Sequence, residues 1–198
     1  MRERSVLMMN FTPGVQEYLD GLKKVIDEFD IDQVTLVMER LLAAYWRRAS
    51  VYVFGNGGSA STASHFVNDF NKGISERLNQ GFRFFCLNDN VPTMMAVAND
   101  ISYDRIFALQ LKNYLQPGDV VFAISGSGNS TNVIEAVRFA NQCGVETIGL
   151  VGFDGGRLKK LVRSCIHVPV DDMQKAEDLH LVINHVMMVL FKEHLQAE

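Results

Sequence analysis

The sequence is short of several things, and each shortage closes off a class of protein. Cysteine is scarce: Cys86, Cys143 and Cys165 are an odd three, with no CxxC spacing. That excludes a disulfide framework and reads as free, mostly buried thiols in a reducing compartment. Lysine and arginine form no run, and the net charge is −4. The electrostatic footprint of a nucleic-acid binder is missing, so no direct nucleic-acid binding is expected. Long apolar runs are missing too. The opening "MRERSVLMMN" has four consecutive apolar residues, too few for a signal-peptide core. The most apolar stretch, Leu181 to Phe191, is interrupted by Asn184 and His185. It falls far short of the ~18 residues that a membrane span needs. Fixed-period repeats, low-complexity linkers and the G-x-x-x-x-G-K-[ST] signature of nucleotide hydrolysis do not occur. What remains is the expectation of a cytoplasmic globular chain. Its 198 residues, 47% hydrophobic, suit one domain with a real core.

Two helical patterns come before any strand. Val15, Tyr18, Leu19, Leu22, Val25, Ile26 and Phe29 recur at spacings of three and four, with Thr12 placed as N-cap and Pro13 at the first helical position. Val34, Val37, Leu41, Leu42 and Tyr45 keep the same rhythm. Residues 11–48 therefore read as a helical hairpin. Beyond it the pattern alternates. Strands are expected at 50–54, 82–87, 119–125, 147–152 and 165–170, and helices at about 60–72, 92–98, 103–115, 131–143, 157–163 and 174–196. The strands are apolar without clean alternation, which argues for a parallel sheet covered on both faces. The expected fold is one α/β domain over the whole chain: a three-layer α/β/α, flavodoxin-like core of five parallel strands (49–198) with the hairpin in front.

Two loops stand out. "FGNGGSAST" spans Phe54 to Thr62, and "ISGSGNS" spans Ile124 to Ser130. Each leads from a strand into a helix, at the strand ends where such sheets bind ligands. Helix N-termini offer unpaired amides, glycines allow close backbone approach, and hydroxyls add uncharged donors. A phosphate is the natural guest. The plainer alternative is that Ser130 or Thr131 only caps a helix. A dinucleotide site is the sharper rival, because "GNGGSA" fits G-x-G-x-x-A. Its acidic partner would be Asp89, 34 residues after Gly55 and beyond the usual ~20. That reading also leaves the serine loop without a purpose. No nucleotide cofactor is expected; a small phosphorylated ligand explains both loops.

The groups able to move protons lie on two helices. His65 and Asp69 are four apart and share a helix face. They read either as an ion pair or as an acid–base set. His185 sits in the apolar "LVINHVMMVLF", where a polar group needs a partner. It is either a core histidine or a functional one. Glu177, eight residues earlier, lies ~80° away around the helix, so both can face one side. His180 points elsewhere and reads as structural or interfacial, and His167 reads as structural.

Taken together, "GNGGSASTASHF", "NDNVPTMMAVAND", "ISGSGNSTNVIEA", "GFDGG" and "EDLHLVINH" resemble the sugar isomerase (SIS) domain family, in its phosphoheptose isomerase branch. The resemblance covers nearly the whole chain. It implies interconversion of sedoheptulose 7-phosphate and D-glycero-D-manno-heptose 7-phosphate through an enediol. It also implies a homotetramer with active sites between subunits, and a zinc ion in several members. Carried over residue by residue, Asp69 becomes the general base and His185 the general acid. His65, Asp69, Glu177 and His185 become the ligands of Zn²⁺ or another divalent ion. Asn56, Gly57, Gly58 and Ser59 match the first sugar-phosphate loop; Ser125, Gly126, Ser127 and Ser130 match the phosphate clamp; Asn99, Asp100 and Glu177 match substrate contacts. Three positions depart from the pattern. Asp69 stands for a glutamate, Glu177 for a glutamine, and Gly126 for a residue that often carries a hydroxyl. Those departures keep a non-catalytic alternative open: a binding protein like the DnaA initiator-associating protein, or a sugar-phosphate sensor.

Overall fold

A computed structural model describes residues 10–196. The first nine residues, which hold most of the stretch read as too short for a signal core, lie outside the described residues, as do the last two. Helices α1 (Thr12–Glu28) and α2 (Ile31–Trp46) form the expected hairpin. Thr12 is not its cap. It is already helical, and its amide donates to Asn10 Oδ1 at 3.1 Å. An asparagine two residues back does the capping, and this frees threonine to join the first turn. Asp30 caps α2 in the same manner, accepting from the Asp32 amide.

The sheet is parallel and five-stranded: β1 (Val51–Phe54), β2 (Phe84–Cys86), β3 (Val120–Ser125), β4 (Glu146–Val151) and β5 (Ser164–His167), in the order β2-β1-β3-β4-β5. β1 pairs with β3 from Val51↔Val120 to Phe54↔Ala123. Both edge strands are shorter than expected, and each for a visible reason. At β2, the Asn71 side chain bonds both the amide and the carbonyl of Phe84, so it replaces a ladder partner. At β5, the Gln33 side chain accepts from the His167 amide, and Pro169, with no N–H, ends the pairing.

The remaining helices are α3 (Gly58–Asn68), α4 (Val91–Asp100), α5 (Ala108–Tyr114), α6 (Thr131–Gln142), α7 (Gly156–Leu161) and α8 (Met173–Gln196). The helix expected over 103–115 is broken into a 3₁₀ turn, Tyr103–Arg105, and α5. Between them, neighbours Ile106 and Phe107 are both buried. An α-helix would set them ~100° apart, and the break lets both enter the core. α3 continues not as α-helix but as a π turn, Asp69–Ile74. A widened turn costs hydrogen-bond quality. Phe70 offsets it, stacked on Phe84 at 4.1 Å between ring centres and edge-on to Phe82 and Phe191.

One apolar layer joins α2, α3 and α8 to one face of the sheet, and a second joins α5, α6 and α7 to the other. This is the expected three-layer arrangement. Cys86 and Cys165 are half-buried, and burial pushes their thiols up to about 12 and about 11. Cys143, by contrast, is exposed, because it follows α6 at the surface. Among the described residues, no helix is long and apolar enough to cross a membrane.

Candidate active site

The strand order reverses direction between β1 and β3, and that is where a doubly wound sheet opens a crevice. The two glycine-serine loops leave these two strands. The first turns into α3 through Gly57 and Gly58. The Glu177 carboxylate of α8 lies where a Cβ on Gly58 would be, so the two elements meet here. A negative group beside the start of a helix also suits the helix dipole. Asn56, in the same loop, is clamped from two sides. Its amide exchanges hydrogen bonds of 2.8 and 2.9 Å with Asn132 of α6, and its Oδ1 accepts from the Tyr103 hydroxyl at 3.0 Å. The two loops are thus tied to each other before any ligand arrives.

The serine loop is held by its own bonds and by the start of α7, where the Leu158 amide donates to the Gly128 carbonyl and Arg157 donates to Asn129. The Gly128 amide donates to Ser125 Oγ and to the Ser125 carbonyl, each at 3.1 Å, and the Asn129 amide donates to Ser127 Oγ. The Gly126 carbonyl accepts from the Gly152 amide at 2.8 Å. The Met173 side chain at the start of α8 occupies the space where a Cβ on Gly126 would be. Ser130 stands at the N-cap of α6, yet its side chain makes no capping bond. Its hydroxyl is therefore not engaged in capping the helix. Ser59 is buried in the first turn of α3.

The three candidate acid–base groups converge on the helix that follows the first loop. His65 Nε2 lies 3.3 Å from Asp69 Oδ2, and His185 Nε2 lies 3.1 Å from His65 Nε2 and 3.8 Å from Asp69 Oδ2. The aspartate is buried, and both histidines keep part of their rings in solvent. Three of the four residues expected as metal ligands therefore form one group. Ligand atoms around a tetrahedral ion bonded at ~2.0–2.2 Å stand ~3.3–3.6 Å apart. The observed separations bracket that range, so two imidazoles and a carboxylate fit a divalent ion such as zinc. Glu177 does not join this group; its carboxylate lies beside Gly58 instead. Asn99 and Asp100 close α4, exposed and hydrogen-bonded to each other at 2.7 Å.

With this geometry in hand, the relatives can be compared. The SIS domain family matches residues 16–152. The chain belongs to the SIS domain family. The phosphoheptose isomerase of Geotalea daltonii is 35% identical over 84% of this chain and 86% of its own. That of Mycobacterium tuberculosis is 35% identical over 86% of this chain and 84% of its own. In three dimensions, this SIS domain superposes on the phosphoheptose isomerase of Neisseria gonorrhoeae with a TM-score of 0.86 and 25% identity, over 93% of this chain and 100% of that one.

Three residues of this SIS domain went unassigned in the sequence. Asn132 and Tyr103 hold Asn56, and nothing in their local pattern announces it. Asn184 did carry a signal, as a polar residue inside an apolar helix. It is fully buried, and its Nδ2 donates to Asp69 Oδ2 at 2.6 Å. His180 lies inside the chain's own core. It is fully buried, and neither ring nitrogen has a hydrogen-bond partner among the described residues. Burial pushes its pKa down to about 4, while the nearby Val151 backbone, short of good hydrogen-bond geometry, acts weakly in the opposite sense.

Proposed function

We propose that the protein is an aldose–ketose isomerase that interconverts sedoheptulose 7-phosphate and D-glycero-D-manno-heptose 7-phosphate. One observation carries this reading: a carboxylate and two imidazoles meet within 3.8 Å of one another at the foot of a helix that begins in a glycine-serine loop. The phosphate is assigned to the serine loop, where Ser127 and Ser130 keep hydroxyl protons to donate. Asn56, Glu177, Asn99 and Asp100 are assigned to the sugar hydroxyls.

The chemistry needs two proton transfers. A base takes a proton from C1 of the ketose while an acid protonates the C2 carbonyl oxygen, which gives the enediol. Removing the O1 proton and protonating C2 then gives the aldose. Asp69 is the base in this reading, and His185 is the acid that serves the oxygens. Each such group contributes about 10²–10⁴-fold. His65, Asp69 and His185 would also hold a divalent ion, which when bound supplies Lewis-acid polarisation of the carbonyl oxygen. The same atoms cannot serve both uses at once, so added zinc and a chelator should shift turnover in opposite directions.

A homotetramer forms part of the proposal. Ile26, Ile31, Val182, Val186 and Leu190 border an open apolar groove between α1, α2 and α8, of about 370 Å³. An apolar surface of this kind suits burial against a second copy. The molecular mass in solution tests it.

The deciding experiment is incubation with sedoheptulose 7-phosphate in D₂O, followed by NMR. The aldoheptose phosphate should appear with deuterium at C2. Binding of the ketose without product would instead place the protein among sensors and partner binders.

A further inference from the structure

We infer that Asn184 is a positioning residue for the isomerisation: its side-chain amide fixes the Asp69 carboxylate against the two imidazoles. The inference rests on the isomerase reading for its kinetic consequence, though not for its geometry.

Asp69 sits where α3 gives way to the π turn, buried, and its carboxylate is oriented by the donors around it. Its contacts to the imidazoles, 3.3 and 3.8 Å, are long for hydrogen bonds that would hold it. Asn68 bonds the other oxygen at 3.2 Å, but from the neighbouring, exposed position. Among the described residues, the one short bond from another element is that of Asn184, at 2.6 Å to Oδ2. It is charge-assisted, and therefore both shorter and stronger than a neutral pair.

The orientation of that amide is not arbitrary. Turned over, it would set its carbonyl oxygen against the carboxylate, so the NH₂ must face Asp69. Oδ1 is then left buried with no partner among the described residues. A buried acceptor without a partner lowers stability. Ile183 and Met187 surround the position on α8, both buried. For packing alone, an apolar side chain of similar volume would serve better. Asn184 instead places one donor on the oxygen that faces His65 and His185, 115 residues away in sequence from Asp69.

The test uses two substitutions, Asn184→Leu and Asn184→Asp, with kcat and KM from the D₂O assay and a crystal structure of each variant. Asn184→Leu should melt at or above the wild-type temperature, since it removes the unpartnered Oδ1. Its kcat should fall on the order of 10²-fold, the usual effect of ~1 Å of misplacement, with KM changed less than about threefold. In its structure the Asp69 carboxylate should turn away from the imidazoles. If Asn184→Leu does not fold, the isosteric Asn184→Asp carries the same test. It sets a second carboxylate where the donor was and should lose more kcat. A variant with wild-type kcat, or with Asp69 unmoved, overturns the inference. So does a loss confined to melting temperature, which a purely structural role would give. If the wild-type protein turns over no sugar phosphate, the isomerase reading fails and the crystal structures alone decide: a displaced Asp69 upholds the positioning, an undisplaced one refutes it.

Discussion

The serine loop and the His65–Asp69–His185 group are both parts of one candidate site, but they are held together by different means. The serine loop combines local bonds, from Ser125 to Gly128 and from Ser127 to Asn129, with bonds to Gly152 and to Arg157 and Leu158 at the start of α7, no more than about 30 residues away. The His65–Asp69–His185 group depends on contacts over much longer separations. Its members come from α3 and α8, and its key bonds span 115 and 120 residues. A phosphate needs only donors around an anion, and a short loop can supply those. Proton transfer needs two groups at set separations, and only packed helices supply that. The binding end should therefore tolerate changes that ruin the reacting end.

The sharpest way to test that contrast is to remove the reacting groups. Asp69→Asn and His185→Ala should each lower kcat by about 10²–10⁴-fold. KM should change little, because the loop that is assigned the phosphate keeps its own bonds. Steady-state kinetics with circular dichroism as a check on folding would measure both. If neither substitution slows isomerisation, the group is not the catalytic one, and the contrast between the two regions loses its meaning.

A second test loosens the frame that carries the group. His180 anchors α8 from inside the core. Its pKa is about 4 when folded and about 6.5 when unfolded, with burial as the main cause. Between those values the unfolded chain binds a proton that the folded chain does not, so stability falls as pH falls. At about 1.4 kcal/mol per pH unit, this window is worth about 3 kcal/mol. Urea unfolding at pH 7 and pH 4.5 should show that loss, and His180→Leu should reduce it. An unchanged pH dependence in the variant would assign the acid sensitivity to other groups.

What could be read from the sequence divides along the same line. The loops were legible because their chemistry is local: glycines and hydroxyls between an apolar run and a helical pattern. So were the sheet, from its apolar runs, and the pairing of His65 with Asp69, from a spacing of four. The meeting of His185 with that pair was legible only as a resemblance. Helix periodicity put Glu177 and His185 on one side of α8 but could not say that the glutamate would stop at Gly58. The π turn after Asn68 was not legible either. It arises because Phe70 fits between Phe84, Phe82 and Phe191, a tertiary demand that overrides local helix propensity. Asn184 showed itself only as an interruption in an apolar run, and its partner could not be named without the fold.

The smallest expected effect sharpens the comparison from the other side. Ser130 occupies the N-cap of α6 with φ −60° and ψ 120°, and its side chain makes no capping bond. Ser130→Ala therefore removes nothing that the folded chain uses, and stability should stay within about 0.5 kcal/mol. A hydrogen bond to a charged phosphate is worth about 1.5–3 kcal/mol. KM should accordingly rise about 10- to 100-fold while kcat changes far less, the mark of lost uniform binding. Steady-state kinetics with thermal melting would read both quantities. A drop in stability with KM unchanged would mean that the hydroxyl caps the helix in solution after all, and the serine loop would then be a turn like any other.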